Sequence, residues 1–245
     1  GVPISLLEID TDRHQRAVIE AGINQVGEMA RLASAIVPDV AVITMVGPGH
    51  LEGLDSVSTV AREKARLFEE TDREVVTVFP ESCLEYESFA SFQGKRLVLR
   101  RDCVQLEPKE GTILFDASTE TNQTGDAASL WLRRRGYPVA SFPIPNLSPG
   151  MTTNLALALA TALEIGIDEK DARERLKQQR PTTMRGQRLD AEGSSYYVDC
   201  YNANPASMAD ALAFFERLYL KQPRLYVIGG MEELGGMEEL RNGGT

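Results

Sequence analysis

The chain has 245 residues, 42% of them hydrophobic and 25% charged, with a formal net charge of -10. That length buries a sizeable core in one large or two smaller domains, and no run of about 18 apolar residues is present that could span a bilayer. The acidic balance argues against a general binder of nucleic acid or anionic membrane, so a phosphate-bearing ligand would have to be met by local cations or a metal.

The opening stretch GVPISLLEID lacks the basic start and apolar core of a secretory leader. It also lacks an initiator methionine, and the chain is expected to be a piece of a longer protein. RAVIEAG (16–22) reads as a strand, VGEMARLASAI (26–36) as a helix and VAVITMV (40–46) as a buried strand, together a βαβ unit. SVSTVAREKARLFEE (56–70) is an amphipathic helix, followed by strands EVVTVF (74–79), KRLVLRR (95–101) and TILFDA (112–117). DAASLWLRRRG (126–136) reads as a helix stopped by Gly136, and TTNLALALATALEIG (152–166) as a deeply buried helix capped by threonine and closed by Gly166. After a short helix at 168–178, QQRPTTMRGQR (178–188) carries the proline, threonines and glycine of a domain boundary. Beyond it the pattern restarts with a strand at 194–200, a helix at 205–220 begun by Pro205, and a strand at 224–230. The expected fold class is α/β, a mostly parallel sheet with flanking helices. GGMEEL occurs at 229–234 and again at 235–240, a period too short for a solenoid unit.

Cys83, Cys103 and Cys200 are far apart without a CxxC pair, which suggests neither a disulfide framework nor a zinc site and points to a reducing cytoplasm. The histidines are His14 and His50. His50 lies in VGPGHLEGLDS (46–56), directly after an expected strand, where an α/β sheet presents its carboxyl edge to ligands. Glu20 ends the preceding expected strand, so a carboxylate and an imidazole reach one edge, a donor set suited to Mg2+ or Mn2+. The same spacing also describes a solvent-exposed turn histidine and a strand-end charge. Lys64 has the spacing of an exposed helix lysine beside Glu63, Glu69 and Glu70, and Asn154 that of a polar helix start. No Gly-x4-Gly-Lys-Ser/Thr phosphate loop occurs; the one Gly-Lys pair, Gly94-Lys95, is followed by Arg96. DCYNANPASM (199–208) reads as a strand-to-helix turn with Asp199 at a sheet edge.

Taken in order, GVPISLL (1–7), VIEAGINQVGEMARLA (18–33), PDVAVITMVGPGHLEGLDSVSTVAREKARLF (38–68), NLALALATALEIGI (154–167), RGQRL (185–189), DCYNANPASM (199–208) and VIGGMEELG (227–235) resemble the Mur ligase family. The YNANP-x-SM and GVP-x-x-LL stretches look most like members that add D-alanyl-D-alanine to UDP-N-acetylmuramoyl-tripeptide. The resemblance implies a central ATPase domain over 1–180 and the start of a Rossmann-like C-terminal domain over 181–245, with the phosphate loop preceding Gly1, so this chain by itself would not turn over ATP. It implies Glu20 and His50 as Mg2+ ligands, Lys64 as a lysine that can be carbamylated to help organise the metal, and Asn154, Arg188, Asp199 and Asn204 as nucleotide contacts. His50, Lys64 and Arg188 would then be the catalytic set, in a cytoplasmic, monomeric, ADP-forming ligase that engages neither nucleic acid nor membrane. Departures are Met45 for the family's asparagine, Gly49 for alanine, Gly230 for aspartate, and NLSPGMTTN (146–154) in place of a G-x-H-N element. They keep open a non-catalytic nucleotide or precursor binder; a sister ligase for another amino acid is the other alternative.

Overall fold

The computed structural model describes residues 1–49, 51–71, 73–101, 110–123, 125, 127–135, 137–178, 182–220 and 222–231. The chain divides into two compact units, one built on Gly1–Leu97 and one on Val98–Glu232.

In the first unit the order is α1 (Val2–Leu7), α2 (Glu28–Ile36), β1 (Val40–Val42), α3 (Leu51–Leu54), α4 (Val57–Glu69), β2 (Val76–Pro80), a 3-10 turn (Glu81–Glu85), α5 (Glu87–Ala90) and the start of β3 (Arg96–Arg101). Helix α4 begins where its sequence says it should: Ser56 Oγ accepts the Thr59 N–H at 3.2 Å, an N-cap. Its inward stripe of Val60, Ala61, Ala65 and Phe68 is buried, as is Glu63. Glu63 does not go unpaired, because Oε2 accepts the Gly27 N–H at 2.7 Å and Oε1 lies 3.0 Å from Arg66 Nε, an ion pair. The first contact ties the start of α2 to α4 and gives one oxygen of a buried carboxylate a donor, while the Arg66 charge faces the other. Phe68, Phe79, Phe89 and Phe92 pack edge to face, with centroids 4.8 to 5.5 Å apart.

The second unit holds β4 (Thr112–Thr121), β5 (Ala127–Arg134), β6 (Ala140–Pro145), α6 (Pro149–Glu164), α7 (Glu169–Gln178), β7 (Gln187–Ala191), β8 (Ser194–Val198) and α8 (Pro205–Leu218). The strand order of the six-stranded sheet follows the chain, β1-β2-β3-β4-β5-β6. β1 and β2 pair in parallel, with Val40 opposite Val76, whereas β4 with β5 and β5 with β6 pair antiparallel. β7 and β8 form a separate antiparallel hairpin. The α/β class is borne out.

Several local expectations are corrected. Residues 127–134 are a strand, not a helix: Ala128, Leu130 and Leu132 are buried while Ala127, Trp131 and Arg133 face out, a period of two residues. Both neighbours, β4 and β6, are available to pair with it, and tertiary pairing overrides the helix propensity of its alanines, leucines and arginines. Residues 16–22 form no strand; Val18 is 99% exposed and has no neighbouring strand to cover it. The same holds for 224–230, where Val227 is 92% exposed. Helix α6 starts earlier than read, at Pro149, capped by Ser148 rather than by threonine; Thr152 is buried inside the helix. Its Ala156, Leu157, Leu159 and Ala160 are buried, as its alanine and leucine content foretold. Cys103, Gly136 and the second half of the tail repeat lie outside the described residues. Among the described residues no helix is long and apolar enough to cross a membrane.

Candidate functional site

Past Val42, the chain leaves β1 and runs through Met45, Val46, Gly47, Pro48 and Gly49 toward α3. Lys64 of α4 reaches this loop: its Nζ donates to the Met45 carbonyl at 2.7 Å. It is half-buried, which corrects its reading as an exposed helix lysine, and burial holds its pKa below the ordinary lysine range. Cys83, fully buried, contributes in the opposite direction to Lys64. Burial pushes the Cys83 thiol up to about 12, with the Lys64 charge working against that rise. The thiol is therefore neutral at ordinary pH and is no counterion for the lysine.

Glu20 is exposed, on the segment leading into a buried cluster of Ile23, Met29, Leu54 and Val60. Ala21, Val46 and Leu51 pack on the same cluster. Gly53 is pressed against the Glu20 segment so closely that a Cβ there would fall 2.0 Å from the Asn24 carbonyl oxygen. Apolar packing thus holds the residues beside Glu20 next to those on either side of position 50. His50 itself lies outside the described residues. Among the described residues no three His, Cys, Asp or Glu side chains gather as a metal cluster. An exposed carboxylate such as Glu20 nevertheless suits Mg2+, which keeps several waters and takes only one or two protein carboxylates plus phosphate oxygens.

In the second unit the polar residues collect where α6, the β7–β8 hairpin and α8 meet. Asn204 caps α8: its Oδ1 accepts the Ser207 N–H at 2.9 Å while Ser207 Oγ accepts the Asn204 N–H at 3.1 Å. Its side-chain oxygen is thereby committed to the helix, which leaves the amide NH2 as the group free to meet a ligand. Arg188 is exposed, makes no ion pair among the described residues, and stands across the hairpin from Tyr197. Tyr197 packs on Phe214 and Phe215, and its hydroxyl is buried with no hydrogen-bond partner among the described residues. Burial raises its pKa, Asp199 and Asp210 add to the rise, and Arg188 opposes it. Asp199 lies at the end of this hairpin with its carboxyl also raised, first by partial burial and then by Asp210; the Gly186 N–H and the Arg185 charge pull the other way. Arg185 stacks over the Tyr201 ring at 4.1 Å. Asn154 is exposed on α6, one turn past Gly150.

Arg188, Asp199, Asn204 and Asn154 thus share one unit, and Glu20 and Lys64 the other. Sequence reading passed over Tyr197, Ser207 and Asp210. For Ser207 a signal existed, since Asn-x-x-Ser at a helix start is a capping pattern. For Tyr197 and Asp210 none did.

Comparison with known proteins adds a lineage. Residues 1–104 match the profile of the Mur ligase middle domain. Over 235 residues the chain is 28% identical to the UDP-N-acetylmuramoyl-tripeptide–D-alanyl-D-alanine ligase of Treponema pallidum (strain Nichols), covering 96% of this chain and 47% of that ligase. With the enzyme of the same name from Escherichia coli (strain K12) it shares 29% identity over 245 residues, covering 98% of this chain and 51% of the other. The fold is similar to a crystal structure of MurF from Acinetobacter baumannii, with a TM-score of 0.75 at 24% identity over 96% of this chain and 49% of that one. It also resembles the MurF ligase of Thermotoga maritima in complex with ADP, with a TM-score of 0.68 at 18% identity over 89% of this chain and 48% of that one. The chain spans about half the length of the curated relatives it matches.

Proposed function

We propose that the chain belongs to the Mur ligase family and that it is the part of an ATP-dependent amide ligase that joins D-alanyl-D-alanine to UDP-N-acetylmuramoyl-tripeptide, forming ADP. The observation that carries this reading is the alignment of nearly the whole chain, 96% and 98% of it, with ligases of that one name. In this reading residues 1–180 are the later part of the central ATPase domain and 181–245 open the C-terminal domain. The protein acts in the cytoplasm as a monomer.

The chemistry has two steps. An oxygen of the tripeptide carboxylate attacks the γ-phosphorus of ATP and ADP leaves, giving an acyl phosphate. The amine of D-alanyl-D-alanine then attacks the activated carbonyl, phosphate departs with that oxygen, and the amine proton is lost to solvent. Glu20 and His50 would hold Mg2+, which when bound offsets charge on phosphate oxygens. Lys64 serves as the carbamylated lysine of the site. Its lowered pKa supports this, because the neutral amine is the form that adds carbon dioxide, and burial at the glycine loop raises its share. Arg188, an exposed cation without an ion pair among the described residues, offsets charge that builds on the transferring phosphoryl group. Asn154, Asp199 and the amide NH2 of Asn204 contact the nucleotide, with Asp199 as an acceptor for ribose or base donors.

The test is phosphate release by the full-length protein with ATP, UDP-N-acetylmuramoyl-tripeptide and a panel of amines. D-alanyl-D-alanine alone should stimulate release, with the UDP-pentapeptide as product by mass. Stimulation by a single amino acid and not by the dipeptide overturns the substrate assignment; no release with any amine overturns the ligase itself.

A further inference from the structure

The first turn of α6 is gripped from two sides by opposite charges. The Gly150 N–H donates to both carboxylate oxygens of Asp210 on α8, at 3.1 Å each. From the other side Arg101 Nη1 donates to the Pro149 carbonyl at 2.7 Å and to Thr153 Oγ1 at 3.2 Å. A helix start carries N–H groups that have no partner within the helix and a partial positive charge, so a carboxylate there satisfies a donor and gains from the helix dipole. Ser148 Oγ takes the next donor, the Met151 N–H, at 3.2 Å. The donors at this helix end are therefore spent on the protein's own groups, and α6 offers a ligand its side chains, not its backbone.

The Gly150–Asp210 contact also fixes which face of α6 meets α8. A Cβ on Gly150 would come within 2.8 Å of Asp210 Oδ2 and 3.3 Å of its Cγ, so the side-chain direction at 150 points at α8. Asn154 follows four residues on, one turn along the same face. Met151 is wedged against the hairpin, because a Cβ at Gly186 would sit 2.6 Å from its Sδ and 3.1 Å from the Tyr197 hydroxyl. Asp210, in turn, lies on the helix that Asn204 caps.

We propose that Asp210 is a positioning residue for nucleotide binding: docked on the Gly150 N–H, it sets the rotation and approach of α6 against α8 and so fixes where Asn154, one turn along the same face of α6, meets the nucleotide. This rests on the reading of Asn154 and Asn204 as nucleotide contacts. The pair is matched, since a side chain at 150 would occupy the space the carboxylate uses. Asp210 touches no nucleotide and acts through Asn154.

The test uses the full-length protein and steady-state kinetics at varied ATP and varied UDP-precursor. Asp210→Ala should raise the KM for ATP about tenfold while kcat at saturating ATP and the KM for the UDP-precursor stay within about twofold. Asp210→Asn, which keeps one acceptor oxygen, should recover most of the loss. Gly150→Ala should raise the ATP KM as well, and the double variant should be no worse than Asp210→Ala alone, because the two changes break one contact. An Asp210→Ala enzyme with an unchanged ATP KM, or one in which kcat and both KM values shift alike, overturns the proposal. A wild-type protein that does not bind ATP overturns instead the nucleotide reading on which it stands.

Discussion

The loop around Lys64 and the junction of α6, the hairpin and α8 are built by different forces. At the loop, apolar side chains do the placing: Ile23, Leu54 and Val60 are buried, Val46 and Leu51 pack on them, and one lysine hydrogen bond to Met45 is added on top. At the junction, polar contacts do it: Asp210 on Gly150, Arg101 on Pro149 and Thr153, and Asn204 with Ser207. Apolar burial carries no titrating group, whereas exposed charged contacts titrate and are screened by salt. The first region is an apolar socket beside one half-buried amine. The second is a joint whose geometry depends on charge.

The comparison breaks most severely at Lys64. Lys64→Met should lower kcat by about a hundredfold or more if its amine, free or carbamylated, serves the reaction. Stability should move the other way. A lysine whose folded pKa is depressed holds its proton less tightly in the folded state, so folded stability rises with pH as the amine passes from its folded to its unfolded pKa. The variant's advantage in urea melts should therefore be present at pH 7 and shrink toward pH 10. A variant less stable at pH 7 and of normal activity would return Lys64 to an ordinary helix surface.

Packing at the socket is tested by Gly53→Ala, whose new methyl would meet the Asn24 carbonyl at 2.0 Å. A loss of about 1–3 kcal/mol is expected from denaturant melts, the range of overpacking. A smaller effect is expected at the joint. Asn204→Ala removes the cap of α8 and should cost about 1 kcal/mol, while Asn204→Asp keeps the capping oxygen and the stability but loses the NH2 and weakens ATP binding. Equal ATP affinity of Asn204→Asp and wild type would leave Asn204 with the helix cap alone. The smallest effect is at Asp199. Its raised folded pKa means that the folded state binds the proton more tightly, so folded stability falls as pH rises through the window just above the ordinary aspartate range. Asp199→Asn should flatten that slope, raise stability slightly at neutral pH and weaken ATP binding; an unchanged slope would show that neither burial nor Asp210 raises the Asp199 carboxyl.

Long periodic helices were legible in the sequence, their caps only in part: α6 is capped by Ser148 and not by threonine. Ser56 and Pro205 begin helices as read, and the Val60 to Phe68 stripe is the face that α4 buries. Residues 126–136 were misread because Ala, Leu and Arg favour helices in isolation, although the alternation of Ala128, Leu130 and Leu132 already had the strand period. Residues 16–22 and 224–230 have the composition of strands, but a strand exists only with a partner, which composition cannot report. At the candidate site, the positions that sit on motifs were readable through the family resemblance as expectations of a role, Lys64 above all. Chemistry made by packing was not: charge spacing along α4 gives no hint that Lys64 turns inward to Met45, and nothing local links Asp210 to a glycine 60 residues away.

The central claim, an acyl phosphate formed at the expense of ATP, is tested most directly by isotope transfer. UDP-N-acetylmuramoyl-tripeptide carrying 18O in its terminal carboxylate is turned over by the full-length protein with ATP and D-alanyl-D-alanine, and the inorganic phosphate is analysed by mass. The account predicts ADP and phosphate bearing one 18O from the carboxylate. Unlabelled phosphate, or label recovered in AMP, would contradict it.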